Sequence, residues 1–293
     1  MTAPLSSDPI DQLPTSRRAW LALLAERGIR PSKGLGQHFL YERGVVQRMV
    51  KQAGVGPNDT VLEIGPGLGI LTSELLRKAG RVVAVELDRQ LAAHLRQEFA
   101  GEPRLTVIEG DALALPIDDL IPPGAEFVVV ANLPYSVGSA VLRHLLEQPR
   151  RPRRLTVMLQ REVAERLGAK PPDMSVLSVA TQLFAEARIA FAVAPSVFIP
   201  PPTVDSAVAI LDVRPEPLLS AAEQPRFFRI VNAGFRQKRK QVANSLAAEL
   251  DVPKAVVQAW LDGAGIDPIR RAQTLSVEDW VRLTRAAPPD IAA

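Results

Sequence analysis

The stretch Ala131-Asn132-Leu133-Pro134-Tyr135-Ser136 holds the residue types in this chain best suited to chemistry. Asn132 has an amide oxygen that accepts hydrogen bonds. Pro134 stiffens a turn and adds no N–H, and Tyr135 offers a ring face. Such a set suits a planar amino group held by its N–H bonds and by stacking. The six residues follow the apolar run Glu126-Phe127-Val128-Val129-Val130, which reads as a buried strand, and precede a helix-like stretch from Val137 to Leu146. Open α/β sheets place their ligands at the carboxyl ends of such strands. The plainer reading is an ordinary strand-end turn.

Composition removes other chemistries. The 293 residues contain no cysteine, which excludes disulfides, thiolate metal sites and cysteine nucleophiles. It also fits a reducing cytosol, so a cytoplasmic location is expected. His38, His94 and His144 are far apart and lack zinc-ligand spacing, so structural or surface roles are expected and no metal. The formal charge is only +3, with a sequence pI of about 9.4, so the distribution of basic residues matters more than their total. Arg17-Arg18 precede a short apolar run from Trp20 to Ala25, and Glu26-Arg27 follow at once. That is an amphipathic helix rather than a signal peptide, and no run approaches a membrane span.

The elements that must position the hexapeptide follow from periodicity. Residues 1–14, rich in Pro, Ser and Asp, are expected to be disordered. A helix capped by Thr15 or Ser16 should run to Arg27, and a second from Tyr41 to Ala53. Between them, Pro31 to Leu40 looks like a ligand loop or a linker. Strands are expected at Val61–Ile64, Arg81–Val85, Leu105–Ile108, Phe127–Val130 and Leu155–Leu159, alternating with helical stretches. This is the pattern of a doubly wound, mostly parallel α/β sheet. Arg188–Val193 and Ala207–Val213 add two late strands, expected as an antiparallel pair at one end, for seven in all. Pro215 and Pro217 mark a boundary, giving a catalytic domain over 15–214 and a smaller all-α domain over 215–293. Its helices are expected at 223–234, 238–250, 253–262 and 277–285.

Gly65-Pro66-Gly67-Leu68-Gly69 leaves the first strand as a turn that lets backbone approach a ligand. A dinucleotide fingerprint needs Gly or Ala where Ile70 stands, and Pro66 removes an N–H from any pyrophosphate cradle. Both weigh against NAD. Glu86, at the end of the second strand, can accept both hydroxyls of a ribose. Asp111, in Gly110-Asp111-Ala112 after the third strand, can accept from an adenine amino group. Each acid also suits a turn or helix cap.

Together these motifs resemble those of class I S-adenosylmethionine-dependent methyltransferases, and Asn132-Leu133-Pro134-Tyr135 resembles their adenine-N6 signature. Gln37-His38-Phe39-Leu40, Gln160 to Leu167 and Pro195 to Ser206 narrow the resemblance to the ribosomal RNA small-subunit adenine dimethyltransferases. It runs from about Gly28 to Leu283. The family dimethylates two adjacent adenosines near the 3′ end of 16S rRNA. The resemblance implies a Rossmann-like methyltransferase sheet and S-adenosylmethionine as cofactor, contacting His38, Leu40, Gly65, Gly67, Glu86, Asp111, Ala112 and Asn132. It also implies 16S rRNA within the immature 30S subunit as partner, no DNA or membrane, and a monomer. Asn132 and the Leu133 carbonyl would accept the two N–H bonds of the target amino group. Tyr135 would give the flipped base one face, and Phe198 the other. For Phe198 a plain core role stands beside this. Transfer would be direct, with no covalent enzyme intermediate and no metal, the proton leaving to water.

RNA contact is expected at Lys33, beside Arg30, and at Arg236, Lys238, Arg239 and Lys240, near Arg226 and Arg229. For Arg150, Arg151, Arg153 and Arg154, RNA contact and a solvated face are both open. Two alternatives to the small-subunit function remain. One is a 23S rRNA adenine methyltransferase of the macrolide-resistance type. The other is chiefly an assembly factor that binds pre-30S particles and uses methylation as a release step.

Overall fold

The computed structural model describes residues 13–32, 34, 36–237 and 239–288. The expected disorder over 1–14 mostly lies outside them. Leu13 is buried, and its carbonyl accepts from Arg43 Nη2 at 3.0 Å. The chain forms two compact units: residues up to Ala164 with Arg188–Val213, and Glu165–Ala187 with Arg214 onward.

The first unit begins with α1 (Arg17–Glu26), β1 (Phe39–Leu40) and α2 (Arg43–Ala53). Ser16 caps α1 by accepting the Ala19 N–H, and the helix buries Trp20 and Leu24. Alternating elements follow: β2 (Thr60–Ile64), α3 (Ile70–Leu76), β3 (Arg81–Glu86), α4 (Arg89–Glu98), β4 (Leu105–Glu109), α5 (Ile117–Leu120), β5 (Phe127–Asn132), α6 (Gly138–Glu147) and β6 (Arg154–Gln160). After α7 (Arg161–Leu167) and α8 (Val176–Phe184) come β7 (Ala185–Val193), β8 (Phe198–Ile199) and β9 (Ser206–Val213).

Seven strands form one sheet in the order β4-β3-β2-β5-β6-β9-β7. Strands β2 to β6 pair parallel, and β9 runs antiparallel to β6 from Arg154↔Asp212 to Gln160↔Ser206. The two late strands are neighbours at one end, as their short connection suggested. Central parallel strands are covered on both faces, which is why Val82–Val85 and Phe127–Ala131 are apolar without alternation and fully buried. Strand order reverses between β2 and β5, so their carboxyl ends flank the crevice where such sheets bind ligands. The separate pair β1–β8, with Phe39↔Ile199 and Leu40↔Phe198, ties the early loop to the segment before β9.

The second unit contains α8, α9 (Gln224–Phe235), α10 (Val242–Leu250), α11 (Lys254–Gly263) and α12 (Val277–Arg285). Here the molecule differs from the sequence-based boundary at 214. Residues 165–187 group with the C-terminal helices because α8, started by a Ser175–Ser178 capping box, packs on α9 and α12. Helix α10 starts at Val242 rather than near residue 238, since Gln241 has extended backbone and the Lys240 N–H closes a turn on the Gln237 carbonyl.

Candidate active site

The β2–α3 turn needs left-handed backbone at Gly65 (φ 67°), Gly67 (φ 57°) and Gly69 (φ 81°). A Cβ on Gly67 would lie 3.3 Å from the Phe39 ring, so the turn packs closely against β1. The Gly67 N–H donates to Glu86 Oε2 at 3.0 Å, and the Asp88 N–H to Oε1 at 2.9 Å. Glu86 is buried, which pushes its carboxyl above the usual range, while these two backbone donors pull it back. Each of its oxygens keeps lone-pair capacity for a further donor.

Glu63 is a functional candidate that the sequence reading passed over. It is 1% exposed, on β2, and lines the cavity beside Glu86. Neither oxygen meets a donor at regular hydrogen-bond geometry, although the nearby Thr72 hydroxyl favours the charged form. Burial pushes its carboxyl up to about 8, and the Glu86 charge adds to that. The signal was present: an acid inside Val61-Leu62-Glu63-Ile64, a strand apolar on both faces, has to be buried.

The Asn132–Tyr135 turn leaves β5 and lines the same cavity as Glu63 and Glu86. The Leu133 N–H donates to Met158 O at 3.1 Å, while the Pro134 carbonyl accepts from Val137 and Gly138. Asn132 Nδ2 donates to the His38 carbonyl at 3.5 Å. That commits the amide's donor end to the loop and turns Oδ1 the other way, a carbonyl oxygen free to serve as acceptor. His38 Nδ1 lies 2.8 Å from the Pro200 carbonyl; only N–H can face a carbonyl, so Nδ1 carries the proton. The His38 and Tyr135 rings lie 5.3 Å apart at 31°. Gln37 holds the loop in place, accepting the Ser32 N–H at 2.8 Å and donating to Asp88 Oδ2 at 3.4 Å.

His38, Leu40, Gly65, Gly67, Glu86, Asn132, Leu133, Pro134 and Tyr135 all line one cavity of about 260 Å³. That is close to the lower end of small-molecule sites, roughly 300–1,000 Å³. Three residues singled out from sequence do not line it. Asp111 is exposed, its Oδ1 accepting the Leu113 N–H at 2.9 Å, and Ala112 follows it. Phe198 is 1% exposed, packed in the core with Phe39 and Leu40 and paired across to Leu40. The exposed Leu87, directly after Glu86, does line the cavity.

Among the basic residues, Lys33 and Lys238 lie outside the described residues. Arg236, Arg239 and Lys240 are exposed in the second unit, where Arg236 approaches Glu249 at 3.9 Å. The 150–154 arginines are occupied within the first unit. Arg150 donates to the carbonyls of Ile121, Pro122 and Ala125, Arg153 pairs with Asp59, and Arg154 with Asp212.

A glycine turn, the buried Glu86 carboxyl and an Asn-Leu-Pro-Tyr turn thus share one crevice. A family model described as ribosomal RNA adenine dimethylase matches residues 30–287. The chain belongs to this family. The chain is 41% identical over 255 residues to ribosomal RNA small subunit methyltransferase A of Dehalococcoides mccartyi, covering 87% of this chain and 88% of that one. It is 41% identical over 286 residues to the same-named protein of Moorella thermoacetica, covering 94% and 99%. Among solved structures it resembles the 23S rRNA methyltransferase ErmE, at 33% identity, TM-score 0.68, and 85% and 98% coverage. It also resembles a dimethyladenosine transferase from Plasmodium falciparum, at 26% identity, TM-score 0.73, and 84% and 96% coverage.

The protein is therefore an S-adenosylmethionine-dependent rRNA adenine methyltransferase. The cavity fits that donor. Gly65 and Gly67 let backbone come close, Glu86 retains acceptor capacity for a diol, and the buried Glu63 carboxyl, without a regular hydrogen-bond partner, leaves polar capacity for a ligand. Among the described residues no helix is long and apolar enough to cross a membrane.

Proposed function

We propose that this enzyme dimethylates N6 of two adjacent adenosines near the 3′ end of 16S rRNA, acting as a cytoplasmic monomer on the immature 30S subunit. The observation that carries the reading is the Asn132 amide, whose donor end is committed to the His38 carbonyl at 3.5 Å in the wall of the cavity. Its oxygen and the Leu133 carbonyl accept the two N–H bonds of the target amino group. Held this way, the nitrogen pyramidalises and its lone pair, otherwise delocalised into the ring, turns outward. S-adenosylmethionine, when bound, supplies an already activated methyl group, so positioning and electrostatics suffice.

Glu86 holds the cofactor ribose, with Gly65, Gly67, His38 and Leu40 around it and Asp111 and Ala112 at its adenine end. Tyr135 forms one face for the flipped base. Phe198, 1% exposed and paired across to Leu40, is the proposed second face. Exposed Arg236, Arg239 and Lys240, with Lys33 and Lys238, neutralise phosphates, the catalytic domain and the helical domain dividing chemistry from RNA contact. The small-subunit assignment draws on the 41% relatives, which carry that name.

A second reading, a 23S rRNA substrate, is favoured by the 33% identity to ErmE. Mapping methylated adenosines after incubation with under-methylated 30S subunits, and separately with naked 23S fragments, decides between them. Dimethylation of adjacent adenosines near the 16S 3′ end is the expected result. Methyl transfer to 23S RNA alone would overturn the proposal.

A further inference from the structure

We propose that Ser206 is a positioning residue for methyl transfer, its buried hydroxyl fixing the Tyr135 ring in the plane that receives the target base. This rests on the reading of Tyr135 as a face for that base. Ser206 opens β9 and is fully buried. It stands opposite Gln160 in the antiparallel β6–β9 ladder, and the Arg161 N–H donates to the neighbouring Asp205 carbonyl at 2.9 Å. Its backbone therefore belongs to the rigid sheet rather than to a loop. The Ser206 and Tyr135 hydroxyls share a hydrogen bond.

Tyr135 needs such an anchor. It sits in the turn after Pro134, lines the cavity and is half-buried. Its other ring contact is the tilted His38 imidazole, a soft interaction that tolerates rotation. A hydrogen bond at the para oxygen, the end of the ring farthest from the backbone, removes the swing that the ring torsions would otherwise allow. Serine has no strand-propensity reason to occupy a fully buried position at this ladder, where alanine or valine would pack as well. A buried hydroxyl is retained where it has a partner, and here the partner is the catalytic turn. The same segment fixes His38 through the Pro200 carbonyl, so residues 200–206 hold both rings.

The test is a double-mutant cycle on the rRNA substrate that the wild-type enzyme methylates. Ser206→Ala and Tyr135→Phe each delete the shared bond, one from inside the core and one from the cavity side. Each should lower kcat about tenfold. KM for RNA and affinity for S-adenosylmethionine should stay within about twofold. The double variant should be no slower than either single one. Tyr135→Ala, which removes the ring, should lose far more. Additive effects of Ser206→Ala and Tyr135→Phe would overturn the proposal, as would a wild-type kcat in Ser206→Ala while Tyr135→Ala is inactive. A wild-type kcat in Tyr135→Ala would instead overturn the reading of Tyr135 itself. Should Ser206→Ala not fold, Tyr135→Phe deletes the same bond from the cavity side without changing a core side chain. An unchanged kcat in that variant would then refute the positioning role.

Discussion

Replacing Glu63 by Gln tests the electrostatic reading of the cofactor crevice. In the fold this carboxyl is pushed up to about 8, against 4.5 in an exposed chain. Between those values the native protein keeps a proton that the unfolded chain has released. Stability then falls as pH rises, from about pH 4.5 until about pH 8, and this group adds no further slope above that. A shift of that size corresponds to about 5 kcal/mol in total, at about 1.4 kcal/mol per pH unit. Glutamine has nearly the same shape and does not titrate, so its burial cost is the same at every pH. Glu86, also raised by burial, is present in both proteins and largely cancels in their difference. Urea unfolding of the ligand-free enzyme and of Glu63→Gln, followed by circular dichroism at pH 5, 6.5 and 8, reads the effect. The variant should gain about 4 kcal/mol on the wild type between pH 5 and pH 8. Parallel stability curves across that range would refute the idea of a neutral buried acid at position 63.

Gly69→Ala should destabilise the fold by about 2–3 kcal/mol in thermal unfolding, because φ is 81° and the new Cβ would lie 2.7 Å from the Phe99 ring. Asn132→Ala should slow methyl transfer by roughly 10²–10³-fold while RNA binding measured by filter retention survives; equal loss of both would contradict its role as acceptor. Glu86→Ala removes the acceptor for the Gly67 and Asp88 N–H groups, and calorimetry should show S-adenosylmethionine affinity falling about tenfold or more. Arg150→Ala removes a donor from three backbone carbonyls, of which Pro122 keeps the Ala125 N–H, so it should lower stability by about 1–3 kcal/mol and leave the salt dependence of RNA binding unchanged.

Much of the first unit was legible in the chain because its signals are local. Strands such as Arg81–Glu86 are apolar on both faces, and the caps at Ser16, Asp88 and Gly54 mark helix ends within a residue or two. The Gly65–Gly69 turn, Glu86 and Asn132 could be placed because each follows a readable strand. What escaped or stayed open depends on contacts between distant segments. Phe198 is in the core because it pairs with Leu40, more than 150 residues away, and no local pattern records that register. The 150–154 arginines resemble an RNA patch in one dimension, yet fold back onto carbonyls and carboxylates around them. Segment 165–187 has ordinary helical periodicity, and only its burial partners assign it to the second unit.

That last assignment makes the second unit discontinuous. Its α8 arrives before the first unit has laid down β9, so the chain leaves the first unit, returns to finish its sheet, and leaves again. A polypeptide ending at residue 213 would carry α8 without α9 and α12, parting Phe184 from the Phe228 ring it meets on α9. Grafting the helical unit from one relative to another would therefore mean moving two separate stretches of gene together. During synthesis, α8 leaves the ribosome before the helices that cover it exist.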